Sequence, residues 1–248
     1  MKRITICIVT LILGISITAS IKAEPKVKIQ ESSFDFGYAP QGSKLSHKYW
    51  IHSTGSEDLK ITKVVPGCGC TKAPLEKDII TSGDSTWLEI IFSTRKYKNK
   101  ITKKPKFFTN AGEDAQRISF TTQVVSPTDT TYPLEIKPFK VNLSNPTDMH
   151  LVNSSSLDEK DNEQGSFKIH NSSDEELTIS IVDYDFKNFD ITIPAIIKAG
   201  ETADGKILLL SNKADKSFYK SVTIEVNDEN KTRFTIPVVY ETNIISNK

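Results

Sequence analysis

The chain is poor in cysteine, methionine and tryptophan, and it carries no excess of charge of either sign. It contains three cysteines, two methionines and two tryptophans among 248 residues. Its 32 Lys and Arg residues nearly balance its 31 Asp and Glu residues, so no overall field favours nucleic acid or an acidic membrane as a partner. The hydrophobic content of 37% is that of a folded, somewhat polar globular protein rather than a disordered one.

Enzyme signatures are also lacking. The sequence has no Gly-x-Ser-x-Gly, no His-Glu-x-x-His and no glycine-rich loop that could cradle a phosphate. Carboxylates are plentiful, but no particular pair stands out as a general acid and base. We therefore predict a protein without catalytic activity and without a cofactor.

The one long apolar run lies at the N-terminus. A basic Met1-Lys2-Arg3 precedes the apolar residues 4–17, and small residues follow. This order predicts a signal peptide over residues 1–23, cleaved after Ala19, Ser20 or Ala23. The alternative is an uncleaved anchor, because residues 4–21 approach the length of a membrane span.

No later stretch is apolar enough to cross a bilayer. We expect the mature chain to have no membrane span and to be exported to the periplasm, the outer surface or the medium. Without residues 1–23 the chain has 29 basic and 31 acidic residues, so the mature protein is close to neutral.

From residue 26 onward, short runs alternate between apolar and polar residues. Such sets of one parity include Phe34 and Phe36, then Leu45, His47, Tyr49 and Ile51, then Leu59 and Ile61. No segment keeps a helical period over three turns. Strands at a spacing of about 8–12 residues, separated by Gly, Asn and Ser, predict an all-β, immunoglobulin-like antiparallel sandwich.

An internal repeat, offset by about 117 residues, divides the chain in two. Residues 51–62 match residues 169–180, and residues 82–84 match 199–201. We predict two tandem sandwiches, over residues 24–126 and 133–248, joined by a polar linker at 127–132. The second copy carries a longer polar stretch, 145–164, which we predict to be a mobile loop.

Four short motifs of the first copy resemble those of a bacterial immunoglobulin-like family of unknown function found in exported envelope proteins. They are Phe34-Asp35-Phe36-Gly37, the strand from Gly42 to His47, the turn 53–55 with Leu59 and Ile61, and Cys68-Gly69-Cys70-Thr71. Ser53 departs from the pattern, since the family usually has asparagine there. The resemblance covers about residues 30–125 and implies a sandwich fold and an envelope location.

Cys68 and Cys70 are the only cysteines outside the predicted signal peptide. An extended backbone would point both sulfurs to the same face. At the matching offset the second copy has Phe186-Lys187-Asn188, so the sandwich does not require the pair.

Four interpretations of the pair stay open. The cysteines could form a disulfide if Gly69 kinks the backbone. They could bind Cu(I) or zinc together with a third ligand. They could act as a redox dithiol, with Lys63, Lys72 and Lys77 nearby in sequence. The fourth interpretation is purely structural, as small apolar side chains that cap the sandwich.

His47 is the obvious third metal ligand, but a predicted hairpin argues against it. If residues 45–52 and 59–65 pair around the turn, His47 lies opposite residue 64 or 65. Cys68 would then be about 10 Å further along, at the rise of a β-strand. We therefore interpret His47 as a core histidine near one end of the sandwich.

Residues 96–106 form a basic run that contains Tyr97. It predicts either a patch for an anionic polymer or an edge strand whose lysines prevent pairing with other chains, and we favour the edge strand.

Taken together, the sequence predicts an exported, non-catalytic envelope protein that binds an envelope protein or a polysaccharide. The alternative is a thiol-dependent envelope factor that uses Cys68 and Cys70 for soft-metal binding or redox exchange.

Overall fold

The computed structural model describes residues 23–143, 164–210 and 217–241. The described chain is all-β, with twenty strands and no helix, and so none that could span a membrane. Residues 1–22 of the predicted signal peptide lie outside the described residues. So does residue range 145–163 of the predicted mobile loop, whereas Gln164 already begins a strand.

The strands follow one another closely along the chain. The first eleven are β1 (Val27–Ile29), β2 (Ser33–Pro40), β3 (Lys44–Ser53), β4 (Leu59–Val65), β5 (Thr71–Lys72), β6 (Ile79–Ile80), β7 (Ser85–Ser93), β8 (Asn99–Lys103), β9 (Lys106–Thr109), β10 (Gly112–Arg117) and β11 (Ser119–Val125). The others are β12 (Leu134–Lys137), β13 (Val141–Leu143), β14 (Gln164–Asn171), β15 (Leu177–Asp183), β16 (Phe189–Thr192), β17 (Ile196–Ile197), β18 (Thr202–Leu209), β19 (Phe218–Val226) and β20 (Arg233–Tyr240).

Two hydrophobic cores lie among these strands. The first collects side chains from β2, β3, β4, β6, β7, β9 and β11, and the second collects side chains from β12 to β20. Around the first core lie sheets of order β1-β3-β7-β5 and β10-β9-β4-β6, and β12-β14-β18-β16 borders the second. One long sheet, β17-β15-β19-β20-β2-β11-β8, contributes strands to both cores.

The predicted alternation is confirmed in β2, β3 and β4. Leu45, His47, Tyr49 and Ile51 are all buried, whereas Lys48, Trp50 and His52 of the opposite parity are more exposed. Ser46 is the exception, buried where it bonds to Ser221. Phe34 and Phe36 are buried with their ring centroids 4.9 Å apart. Side chains of one parity therefore build the core, as the period of a strand requires.

The predicted hairpin between residues 45–52 and 59–65 is wrong. β3 pairs with β1 and β7, whereas β4 pairs with β9 and β6. The connection through Gly55 carries the chain from the sheet of β3 into the sheet of β4. Gly55 lies so close to Glu24 and Lys26 that a side chain at this position would collide with their backbone. Alternation shows which face of a strand is buried, but not which strand lies beside it. Pairing of β3 with β4 and pairing of β3 with β7 are therefore equally compatible with the sequence.

The repeat is visible in the pairing of short strands. Leu59 pairs with Ile80 between β4 and β6, and Leu177 pairs with Ile197 between β15 and β17. In both β6 and β17 the first isoleucine is exposed and the second is buried. Residues 126–133, between β11 and β12, contain no strand.

The first half of the described chain, residues 23–125, meets the second half, residues 134–143, 164–210 and 217–241, where β2 runs parallel to β20. The Thr235 hydroxyl donates a hydrogen bond to the carbonyl oxygen of Phe36 at 2.6 Å. Beside this contact, the Ser46 amide donates to the Ser221 hydroxyl at 2.9 Å. The halves are therefore joined by backbone pairing and buried hydrogen bonds.

Candidate functional site

The Cys68–Cys70 loop follows β4 and is closed by a disulfide between its two cysteines. Their Cα atoms are 5.2 Å apart, and the Thr71 amide donates to the Cys68 carbonyl at 3.2 Å. The backbone therefore turns here and is not extended, so the same-face geometry of a strand does not apply. The turn begins at Gly67, whose φ of 89° is one that glycine adopts without steric cost.

The two sulfurs have different surroundings. Cys70 packs against the first core, and the hydroxyl of Tyr97 donates a hydrogen bond to its Sγ at 3.1 Å. The Thr71 hydroxyl lies 3.4 Å from Cys68 Sγ and 3.8 Å from Cys70 Sγ. Cys68 stands between Gly67 and Gly69, which are both exposed.

Lysines from two parts of the chain bear on this loop. Of the three lysines nearby in sequence, Lys72 follows the loop in β5 and Lys77 forms an ion pair with Asp84. Lys103 places its Nζ 4.7 Å from the centroid of the Tyr97 ring, and Lys96 places its Nζ at 5.8 Å. Tyr97 itself was missed as part of the site, because 27 residues separate it from Cys70 and only β7 and the following turn bring it back.

Within the described residues, no group of three or more His, Cys, Asp or Glu side chains is placed to hold a metal ion. Cys68 and Cys70 are bonded to each other, and metal binding requires thiolates. The soft-metal hypothesis for Cys68 and Cys70 therefore stays a prediction about the reduced chain.

His47 is a core histidine, but it has a specific partner. Its side chain is buried and stacks on Phe34 with ring centroids 3.7 Å apart. Its Nδ1 lies 2.7 Å from Oδ2 of Asp183, at the end of β15. The residue thus links the two halves, a contact between positions 136 apart that strand parity could not foresee.

A cluster of two buried carboxylates, Asp185 and Glu89, and two half-buried lysines lies beside this contact and also joins the halves. Lys48 and Lys220 each place their Nζ 3.1 Å from Oδ2 of Asp185, and Lys220 also pairs with Glu89. Burial acts to raise the pKa of Asp185, but the charges of Lys220 and Lys48 outweigh it and hold that pKa below its usual value.

Asp185 also shapes the loop that matches the cysteine loop in the repeat. Its carboxylate accepts a hydrogen bond from the side-chain amide of Asn188 at 2.9 Å and one from the Lys187 amide at 3.3 Å. The loop after β4 is thus closed by a disulfide, and the loop after β15 is closed by a carboxylate. Phe186, at the tip of the second loop, is 63% exposed.

A cleft of about 180 Å³ lies at the junction between the halves. Trp50 and Trp87 line it from the first half, and Phe186 lines it from the second. These two tryptophans are the only ones in the chain. Charged side chains, among them Lys48, Asp183 and Asp185, complete the lining. The cleft therefore combines exposed aromatic faces with fixed charges, which is the composition of a binding surface.

Residues 27–124 match the model of a family described as "Protein of unknown function (DUF1573)". No curated protein matches the chain in sequence. The matched range contains the motifs and the cysteine loop described above.

Distant likenesses connect the chain to several solved structures. A protein of unknown function from Porphyromonas gingivalis is 12% identical, with a TM-score of 0.34, over 87% of this chain and 99% of that one. A human ASH/PapD-like domain is 10% identical, with a TM-score of 0.35, over 50% of this chain and 99% of that one. The CupB2 chaperone of Pseudomonas aeruginosa is 8% identical, with a TM-score of 0.29, over 85% of this chain and 98% of that one.

Proposed function

We propose that this protein is an exported, non-catalytic component of the cell envelope. It is built of two tandem immunoglobulin-like sandwiches and binds an envelope protein or polysaccharide at the cleft between them. The two hydrophobic cores and the strandless segment 126–133 support the two-sandwich arrangement. The signal-like residues 1–23 support export, and a disulfide suits an oxidising compartment.

The observation that carries the binding function is the aromatic lining of the cleft. Trp50 is 37% exposed and Phe186 is 63% exposed, and they come from different halves of the protein. Large aromatic side chains contribute strongly to binding because they bury much apolar surface with few rotatable bonds. Leaving two of them exposed at one cleft favours a partner that covers them.

The size of the cleft favours a macromolecular partner. Its volume of about 180 Å³ is below the roughly 300 Å³ at which pockets for small molecules begin. A sugar ring or one side chain of a protein fits such a space, with the rest of the partner lying over the rim. The neighbouring charges of Lys48 and Asp183 then orient polar groups of that partner.

Tryptophan fluorescence tests this function directly, because both tryptophans of the chain line the cleft. We expect titration with envelope polysaccharides and envelope proteins from an exporting bacterium to yield a ligand that changes the emission. We expect Phe186→Ala to weaken binding of that ligand about tenfold or more, as for an aromatic at the centre of an interface. Trp50→Ala should do the same, with Trp87 as the remaining reporter.

Ile79→Ala is the matched control, since Ile79 is an exposed apolar residue on β6, outside the cleft. It should bind like the wild type. Unchanged tryptophan emission with every envelope polysaccharide and protein titrated, or equal binding by Phe186→Ala and the wild type, would contradict the proposed site.

A second candidate function is thiol-disulfide exchange at Cys68 and Cys70. The hydroxyl of Tyr97 on Cys70 Sγ favours this form of the thiol-dependent alternative, because a hydrogen-bond donor stabilises a thiolate. Binding of Cu(I) or another soft metal by the same sulfurs would need the reduced state and a further ligand.

A further inference from the structure

We infer that the Cys68–Cys70 disulfide has a fixed direction of exchange. Cys68 is the sulfur that a partner thiol attacks, and Cys70 is the leaving sulfur, stabilised by the hydroxyl of Tyr97. This inference rests on the thiol-exchange function proposed above and names the partner class, a reduced dithiol protein.

Both cysteines are half-buried, and it is their neighbours that distinguish Cys68 as the attacked sulfur. Gly67 and Gly69 on either side of it are exposed. Apart from chain neighbours, no described heavy atom lies within 4 Å of where a Cβ would stand at either glycine. A partner's backbone and thiol can therefore approach Cys68 closely. Cys70 is shielded on one side by the first core and on another by Tyr97.

A hydroxyl lies near each sulfur, and the closer one is at Cys70: the Tyr97 hydroxyl is 3.1 Å from Cys70 Sγ, whereas the Thr71 hydroxyl is 3.4 Å from Cys68 Sγ. This contact distinguishes Cys70 as the leaving sulfur. The Tyr97 hydroxyl already points at its Sγ from 3.1 Å and needs no rearrangement to donate to a thiolate. Tyr97 is held in place by its backbone, whose amide donates to Thr94 and whose carbonyl accepts from the Gln41 side chain at 2.9 Å. A leaving thiol that is better stabilised as a thiolate leaves faster.

Two basic side chains supply positive charge to the same corner. Lys103 and Lys96 place their Nζ atoms 4.7 Å and 5.8 Å from the centroid of the Tyr97 ring, whose hydroxyl contacts Cys70 Sγ. Nearby cations favour the thiolate over the thiol. The basic run 96–106 therefore bears on the ionisation of Cys70, because two of its lysines lie over the ring of Tyr97, which contacts this cysteine.

The exchange proceeds in two steps. A thiolate of the partner dithiol attacks Cys68 Sγ and forms an intermolecular disulfide, while the Cys68–Cys70 bond breaks and its electron pair leaves on Cys70 Sγ. The second partner thiolate then attacks the partner's own sulfur in that mixed disulfide and releases Cys68 as a thiolate. The partner is oxidised to a disulfide, and Cys68 and Cys70 receive two electrons and the two protons that the partner gave up.

Reduction by dithiothreitol tests the inference. We expect the loop disulfide of the purified, folded protein to be reduced, with a rate and an equilibrium constant that both fall in Tyr97→Phe. A hydrogen bond to a charged group is strong enough to shift the equilibrium about tenfold. Tyr38→Phe is the matched control, since Tyr38 lies in β2 and stacks on Phe234. Circular dichroism verifies that each variant is folded.

A second measurement does not depend on Tyr97→Phe folding. In a Cys7→Ser background, Cys68→Ser leaves only Cys70, and Cys70→Ser leaves only Cys68. Thiolate absorbance should show Cys70 ionising at lower pH than Cys68. Tyr97→Phe should raise the ionisation midpoint of Cys70 and leave that of Cys68 unchanged.

Two outcomes overturn the inference at different levels. A disulfide that dithiothreitol cannot reduce without unfolding the protein removes the thiol-exchange function itself. A disulfide that is reduced equally in wild type, Tyr97→Phe and Tyr38→Phe, with Cys68 ionising at or below the pH of Cys70, keeps exchange but removes the assigned direction.

Discussion

Asp35 and Gly37 of the Phe-Asp-Phe-Gly motif have separate structural roles. The Asp35 carboxylate accepts hydrogen bonds from the Gly37 amide at 2.9 Å and from the Thr121 hydroxyl at 2.8 Å. Gly37 has a φ of 62°, and a Cβ there would lie 2.0 Å from the carbonyl oxygen of Arg233. The motif therefore fixes the point at which β2 approaches β20, so it serves the junction of the halves as well as the first hydrophobic core.

At the residue scale, Gly37→Ala should be strongly destabilising. The new methyl group collides with the backbone of Arg233, which cannot move without separating β2 from β20. We expect a loss of about 3 kcal/mol or more in the free energy of unfolding, the range of severe single mutations. Denaturant unfolding measures it.

Gly42→Ala is the control for backbone strain alone. Gly42 has a φ of 77°, but no described atom outside its chain neighbours lies within 4 Å of its would-be Cβ. The left-handed conformation by itself should cost about 1–2 kcal/mol. Equal losses in the two variants would show that the approach to Arg233 is not the cause.

At the scale of elements, β8 stands at the end of the long sheet, as the edge-strand interpretation predicts. It pairs with β11 on one side, and no described strand pairs with its other side. Lys100 and Thr102 of β8 are exposed. Charge on an edge strand prevents the free backbone groups from pairing with another chain.

Replacing Lys100 and Thr102 together by valine should make the protein self-associate. The change leaves a flat apolar edge whose amides and carbonyls are free to pair. Sedimentation velocity should show an average mass that rises with concentration relative to the wild type.

The control places the same change inside a sheet. Ser166 and Lys168 are exposed residues of β14, which is flanked by β12 and β18. Their replacement by valine adds the same apolar surface without a free edge. If both double variants self-associated to the same extent, added apolar surface would explain the self-association, and the free edge of β8 would not.

At the scale of the whole molecule, buried charges hold the halves together. Asp185 contacts Lys48 of the first half and Lys220 of the second, and Glu89 contacts Lys220 from the other side. Removing one member of a buried ionic cluster leaves the others without full compensation. The same cluster borders the cleft, so the relative position of Trp50 and Phe186 depends on it.

Asp185→Asn should therefore weaken the protein in a pH-dependent way. Since the pKa of Asp185 in the folded state lies below its ordinary value of 3.8, its charge stabilises the fold at neutral pH. That contribution is lost as the pH falls from about that value through the lower folded pKa. We expect a loss of about 3 kcal/mol at pH 7 in Asp185→Asn, and a difference from the wild type that shrinks in acid.

Denaturant unfolding of both proteins from pH 7 down to about pH 2 measures this difference, because the loss begins only near pH 3.8 and continues below it. Asp204→Asn is the comparison, because the Lys168–Asp204 pair is 65% exposed on both sides and should contribute less than about 1 kcal/mol. A gap between wild type and Asp185→Asn that stays constant with pH would refute the role given to the Asp185 charge.

The sequence by itself determined the strands and their buried faces. Alternation follows directly from the two-residue period of a strand, so Leu45, Tyr49 and Ile51 could be assigned to a core without knowing their neighbours. The sequence also located the cysteine pair, because Cys68 and Cys70 are the only cysteines after residue 23 and the second copy has none.

Only the tertiary structure decided which strands pair and which distant residues meet. The expected hairpin failed because the five residues between β3 and β4 can either reverse the chain in one sheet or carry it to another. Tyr97 contacts Cys70 across 27 residues and Asp183 contacts His47 across 136, and Phe186 and Trp50 come to line one cleft. Local patterns carry no information on such contacts, since they depend on how the sheets stack and how the halves join.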